Sequence, residues 1–247
     1  MKSILLFLLL SAMVSFGQVM TNGSFAVIKG NTDYELVAKG KARNTNQFVA
    51  GRTYEVGRES YFFGTNDESV LYFTHGLLGK VSKGTEFTIN SFNQEVNNLA
   101  DEPAKLKVGA HNFAATIMKG DAYFCFAGGN EVSSCVISTP LVDVELGKGK
   151  FYFRVEEGGV MVFVLEGKAI GHGERGKKEE CEAGRAIVAA PIKFQMKGLD
   201  DKVFLNTKKA KVDETKKLLI EASTLEKVPA DFIFSVVNGK VVAVNIH

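Results

Sequence analysis

Between residues 138 and 191 the chain alternates strand-like runs with glycine turns and leaves no room for a helix between them. Lys150-Phe151-Tyr152-Phe153-Arg154-Val155 is followed by two acids and two glycines, Glu156-Glu157-Gly158-Gly159. Then come Val160-Met161-Val162-Phe163-Val164-Leu165 and a closing Glu166-Gly167, and after a polar insert Ala183-Gly184-Arg185-Ala186-Ile187-Val188 opens another run. Aromatic and β-branched residues suit a pleated, half-buried surface. Strand, glycine turn, strand therefore predicts an all-β fold, a coiled multi-strand sheet of β-helix-like or sandwich form. Residues 160–165 are apolar at both parities, which predicts a strand covered on both faces.

The same grammar extends over most of the chain. Nineteen Phe, 25 Gly, 4 Pro and no Trp describe a β-rich body whose corners are made by glycine, the residue that reaches positive φ without strain. Further strands are expected at 69–73, 86–89, 122–126 and 135–137, with a surface loop around Asp101-Glu102-Pro103. The glycine spacing has no fixed period, so a regular solenoid is not expected. Near the end, Val212, Leu218, Leu219, Ala222 and Leu225 share a helical stripe, Asp213 and Glu214 lie at its start, and Pro229 bars continuation. These residues predict a helix over 212–226. Asn238-Gly239 between two apolar runs predicts a hairpin turn, because a type I′ turn needs positive φ twice.

Lys2 followed by an apolar run from Ile4 to Val14, with Ser15-Phe16-Gly17 after it, has the layout of a secretory signal peptide. The organisation expected is a signal peptide at 1–17, a β domain at 18–195 and a helix-plus-hairpin extension at 196–247. The mature chain carries no run of eighteen apolar residues, so a periplasmic or secreted protein without a membrane span is expected.

Thirty basic against 28 acidic residues leave no electrostatic footprint for nucleic acid. Zinc-protease, nucleophile-elbow and phosphate-loop motifs are missing, and the four histidines, His75, His111, His172 and His247, lack ligand spacing. Gly171-His172-Gly173-Glu174-Arg175-Gly176 spells a dinucleotide fingerprint, but a charged segment broken by Gly184 follows where a helix is required. It reads as a hairpin tip. Adjacent acids such as Glu156-Glu157 and Asp200-Asp201 would point to opposite faces of a strand and make poor acid/base partners. No catalytic, cofactor-binding or metal-binding residue is expected. Cys125 and Cys135 flank Ala127-Gly128-Gly129-Asn130, a turn expected to join antiparallel strands. In an oxidising compartment they are candidates for a disulfide, the alternative being two buried thiols, while Cys181 is left over.

Phe63-Gly64-Thr65 leads into Ser69-Val70-Leu71-Tyr72-Phe73, followed by Gly84-Thr85-Glu86-Phe87-Thr88-Ile89 and then Thr139-Pro140. Val162-Phe163-Val164-Leu165-Glu166-Gly167 and Ala183-Gly184 complete the series. In these motifs, over roughly residues 26–191, the chain resembles the FecR domain, a β-rich extracytoplasmic bacterial module. Gly147-Lys148-Gly149 departs from the family's Arg-Gly-Thr. FecR regulators carry a cytoplasmic anti-sigma segment and a transmembrane helix ahead of this domain, whereas here the domain follows the leader almost directly. The resemblance thus implies an exported, non-catalytic module that binds a protein or envelope polymer without a cofactor. The alternatives are an envelope hydrolase whose site is assembled only in three dimensions, and a signalling component working through a separate membrane partner.

Overall fold

The computed structural model describes residues 20–38, 41–96, 108–129, 132–192, 202–225, 227, 232–237 and 240–245. The leader, the loop at Asp101-Glu102-Pro103 and the Asn238-Gly239 turn lie outside the described residues. In chain order the strands are β1 (Met20–Asn22), β2 (Ser24–Lys29), β3 (Asp33–Ala38), β4 (Lys41–Gln47), β5 (Thr53–Glu55), β6 (Ser60–Gly64), β7 (Ser69–Phe73) and β8 (Leu77–Val81). They continue as β9 (Glu86–Val96), β10 (Val108–Phe126), β11 (Ser134–Ser138), β12 (Asp143–Glu156), β13 (Gly159–His172), β14 (Lys178–Glu182), β15 (Arg185–Ile192) and β16 (Lys202–Lys209). Helix α1 (Val212–Leu225) follows, then the hairpin of β17 (Phe232–Val237) and β18 (Lys240–Asn245).

Strands β1 to β16 form one mixed sheet whose main path runs β16-β15-β13-β12-β11-β10-β8-β7-β2-β5. The all-β expectation holds, with one described α-helix and a terminal hairpin. Strand β10 organises the sheet. Its residues 112–116 pair with β11 and β9, while 122–126 lie between β8 and β12. Between the two halves sits Gly120 at φ +96°, where a Cβ would lie 2.6 Å from Thr85 Cα. The Thr85 hydroxyl there donates to the Asp121 carbonyl at 2.9 Å and accepts from the Asp121 amide at 3.0 Å. The predicted glycine corner is thus a bend within one long strand.

Two cores explain the doubly apolar strands. Val160, Val162 and Val164 of β13 face an inner core with Phe124, Phe126, Phe151 and Phe153. Phe163 and Leu165 face an outer core with Tyr123, Cys125 and Tyr152, and this second face is covered by Leu218, Ala222 and Leu225 of α1. The hairpin adds Phe234, whose ring lies 5.0 Å from that of Tyr72. Burying each large apolar side chain contributes roughly 1.5–3 kcal/mol, so the helix is held chiefly by this face. Polar bonds fix its position: Tyr123 donates to Glu221 Oε2 at 2.7 Å, and the Arg154 guanidinium lies 3.6 Å from Glu214 Oε1. Glu214, Leu218 and Glu221 are spaced to share one helical face.

The structure corrects the cysteine pairing. Strands β10 and β11 are parallel, and Cys135 stands opposite Phe113, not Cys125. The glycine-rich segment after Phe126 returns the chain to the first half of β10 instead of closing a hairpin. Cys125 faces the outer core, where its thiol lies 3.5 Å from the Ala222 carbonyl, and Cys135 faces the inner one. No disulfide joins them. Among the described residues no helix is long and apolar enough to cross a membrane.

Candidate functional site

The long strands β12 and β13 turn a corner together. The ladder slips where Leu146 pairs with Ala169 and Gly149 with Gly167, so that Gly147 and Lys148 oppose the single residue Lys168. Extra residues on one strand bend it and re-aim its side chains. The corner requires glycine on both strands. A Cβ on Gly167 (φ +80°) would lie 2.8 Å from the Lys148 carbonyl carbon, and one on Gly149 would lie 2.8 Å from that of Glu166.

A cleft of about 440 Å³ opens beside this corner. Phe126, Leu146 and Ala169 contribute apolar surface, Gly128, Gly129 and Ser133 form one side, and Lys148, Lys168, Glu145, Glu180 and Glu182 supply charge. Glu145 Oε2 lies 3.1 Å from His172 Nε2, and Lys168 pairs loosely with Glu182 at 3.8 Å. Cys135 and Cys181 also line the cleft. Burial pushes the Cys135 thiol far up and, against the opposing pull of Arg185, lifts that of Cys181 to about 11. Both are poor nucleophiles near neutrality, since the thiolate is the reactive form. The cleft offers apolar contact and paired charges, the materials of recognition.

Behind Phe126 lies an assembly that sequence spacing did not reveal. His75 and His111 are 6% and 2% exposed, with ring centroids 4.6 Å apart. Phe92, Phe113, Phe126 and Phe73 surround His75 at 4.5, 5.1, 5.6 and 5.9 Å. Both His75 ring nitrogens, His111 Nε2 and Gln94 Nε2 have no hydrogen-bond partner among the described residues. His75 does occupy a turn, as its neighbour Gly76 predicted, yet its side chain points inward. The signal for His111 was its alternation with Phe113, Ala115 and Ile117, all buried.

A third, polar basin lies at the junction of sheet and helix. Tyr152 donates to Asp121 Oδ1 at 2.8 Å and accepts from Arg154 at 3.1 Å, while Lys80 sits over the Tyr123 ring and pairs with Glu68 at 2.9 Å. Lys80 with Glu68, and Arg154 with Asp121 and Glu214, are engaged with one another there, and they form the polar seam of the outer core. The fingerprint from Gly171 to Gly176 falls on the end of β13 and a single turn of 3₁₀ helix, which lead into antiparallel β14. That geometry gives no helix dipole for a pyrophosphate. Thr139 closes the β11–β12 turn: its hydroxyl donates to the Val142 carbonyl at 2.8 Å and accepts from the Val142 amide at 3.1 Å. Gly184 (φ +80°) makes the turn into β15. Among the described residues no three His, Cys, Asp or Glu are grouped to hold a metal ion.

No family model and no curated protein sequence matches the chain. It is similar in part to two crystal structures from Parabacteroides distasonis, each provisionally assigned as an anti-sigma factor. One superposes with a TM-score of 0.43 at 11% identity, covering 74% of this chain and 96% of the other. The second gives 0.29 at 12% identity, covering 66% and 92%. Overlaps of that quality transfer no role to this chain.

Proposed function

We propose that this chain is an exported, non-catalytic binding or scaffold module of the FecR-domain type, holding its protein or envelope-polymer partner in the cleft at the Gly149–Gly167 corner. One observation carries the reading: the cleft joins an apolar floor to a rim of two lysines and three glutamates, while its two thiols stay protonated. Apolar surface with a few placed polar groups supports selective binding without a reacting group.

Photo-cross-linking in intact cells tests the proposal. A photoreactive residue at Ser133, in the cleft, should give a discrete adduct that disappears when Lys148 and Lys168 are changed to Glu. The same residue at Glu157, in the exposed β12–β13 turn, should not. Equal adduct patterns from both positions would remove the cleft from consideration. A turnover abolished by Glu145→Gln or Glu180→Gln in a folded variant would favour the hydrolase alternative.

A further inference from the structure

We propose that the buried His75–His111 pair is an acid-sensitive device: protonation of either ring opens the wall of the cleft formed by residues 126–129 and 133. As a statement about regulation it rests on the cleft being the binding site; as a statement about conformation it stands alone.

The surroundings are unfavourable for charge and already leave neutral rings unsatisfied. A neutral imidazole carries one N–H donor and one acceptor, and His75, packed against the Phe92 and Phe113 rings, has no partner for either nitrogen among the described residues. Burying a polar group unsatisfied is destabilising, and burying a charge unpaired far more so. Among the described residues, the groups facing the pair offer no counter-charge. From β7 comes Phe73, from β9 Phe92 and Gln94, and from β10 Phe113 and Phe126. Cys135 of β11 stands across from Phe113 as a thiol. The buried Glu95 carboxylate, next to Gln94, accepts the Ala110 amide at 3.0 Å.

Burial therefore holds His75 well below the usual histidine range, with the neighbouring His111 adding to it. Burial also lowers His111, against a backbone hydrogen bond at Gly109 that works the other way. Rings that resist protonation when folded take up protons when exposed, so the closed form weakens as pH falls below about 6.5.

Mechanical coupling to the cleft is direct. Phe126 touches both rings, at 5.6 and 5.7 Å, and lines the cleft. Gly129 lies so close that a Cβ would sit 2.6 Å from His111 Cε1. Ser133 Oγ accepts the His111 amide at 3.2 Å, and the Ala127 amide donates to the Gly76 carbonyl at 3.3 Å. A movement of either ring is passed to residues 126–129 and 133 through these contacts.

Hydrogen exchange of the unliganded mature chain tests this, so failure of the binding proposal leaves the measurement intact. Between pH 7.5 and 4.5, after correction for intrinsic rates, amides of residues 74–77 and 126–129 should lose protection at least tenfold. Strands β15 and β16 should not. In His75→Phe and His111→Gln that selective loss should shrink or vanish. An unchanged pH response in folded variants, or no response in the parent chain, overturns the proposal. Should the variants not fold, NMR titration of the parent decides: ring and 126–129 amide shifts must move together below pH 6.5, and independent titration overturns it.

Discussion

Gly149 of β12 stands opposite Gly167 of β13, and each forbids a side chain because the partner strand's carbonyl occupies the space. At Gly167 the positive φ adds a second restriction. A left-handed conformation disfavours any L-residue by roughly 1–2 kcal/mol before a clash is counted. Gly167→Ala should destabilise by at least about 3 kcal/mol in urea unfolding, and Gly167→Val should prevent normal folding. Gly158→Ala, in open space at the β12–β13 turn, is the control and should change stability far less.

The helix is part of the fold, not an appendage. Leu218→Ala should cost about 2–4 kcal/mol, because it leaves a cavity in the outer core. Tyr123→Phe removes the donor to the partly exposed Glu221 and should cost only about 1 kcal/mol. Chemical denaturation followed by circular dichroism separates the two. A Leu218→Ala protein as stable as the parent would mean that α1 does not bury that side.

Alkaline pH should weaken the structure. Burial pushes the Tyr152 phenol up to about 12, with Arg154 opposing and Asp121 assisting, and burial likewise lifts Tyr61 to about 12. The unfolded chain ionises these phenols near pH 10, where the folded one keeps its protons. Stability conferred by each group is complete below pH 10 and is lost as pH rises towards 12, at about 1.4 kcal/mol per pH unit. Tyr152→Phe should lessen that slope by about one group's share in thermal unfolding between pH 9 and 11.5.

Cys125 and Cys135 should map as separate thiols. Non-reducing peptide mapping should find no peptide linking them, and a reductant should leave Tm unchanged. A Cys125–Cys135 cross-link in folded protein would contradict the parallel β10–β11 register.

Local rules made much of the fold legible. The helical stripe predicted 212–226 and the helix spans Val212–Leu225. The apolar runs on either side of Asn238-Gly239 predicted two paired strands, and β17 and β18 pair antiparallel. Apolar residues at both parities of 160–165 correctly implied cover on both faces, but not that α1 would supply half of it. Long-range matters escaped. Cys125 and Cys135 looked like hairpin partners because the sequence carries no mark of β10 serving two sets of neighbours. His75 sits in the turn between β7 and β8 and His111 on β10, and residue spacing cannot report a meeting between elements so far apart in the chain. The cleft escaped for the same reason, its walls coming from β10, β11, β12, β13 and β14.

The cover over the outer face also sets an order of events. Tyr123, Phe163 and Leu165 belong to segments made before residues 212–225, so a chain still emerging has its sheet residues available while the helix that hides them is missing. Such an intermediate is sticky, as partly folded β proteins are. A protease cut between Lys209 and Val212 followed by departure of the C-terminal piece would recreate the same exposed face in a finished molecule. Loss of the C-terminal piece should therefore show itself first as self-association, before any change in the inner core.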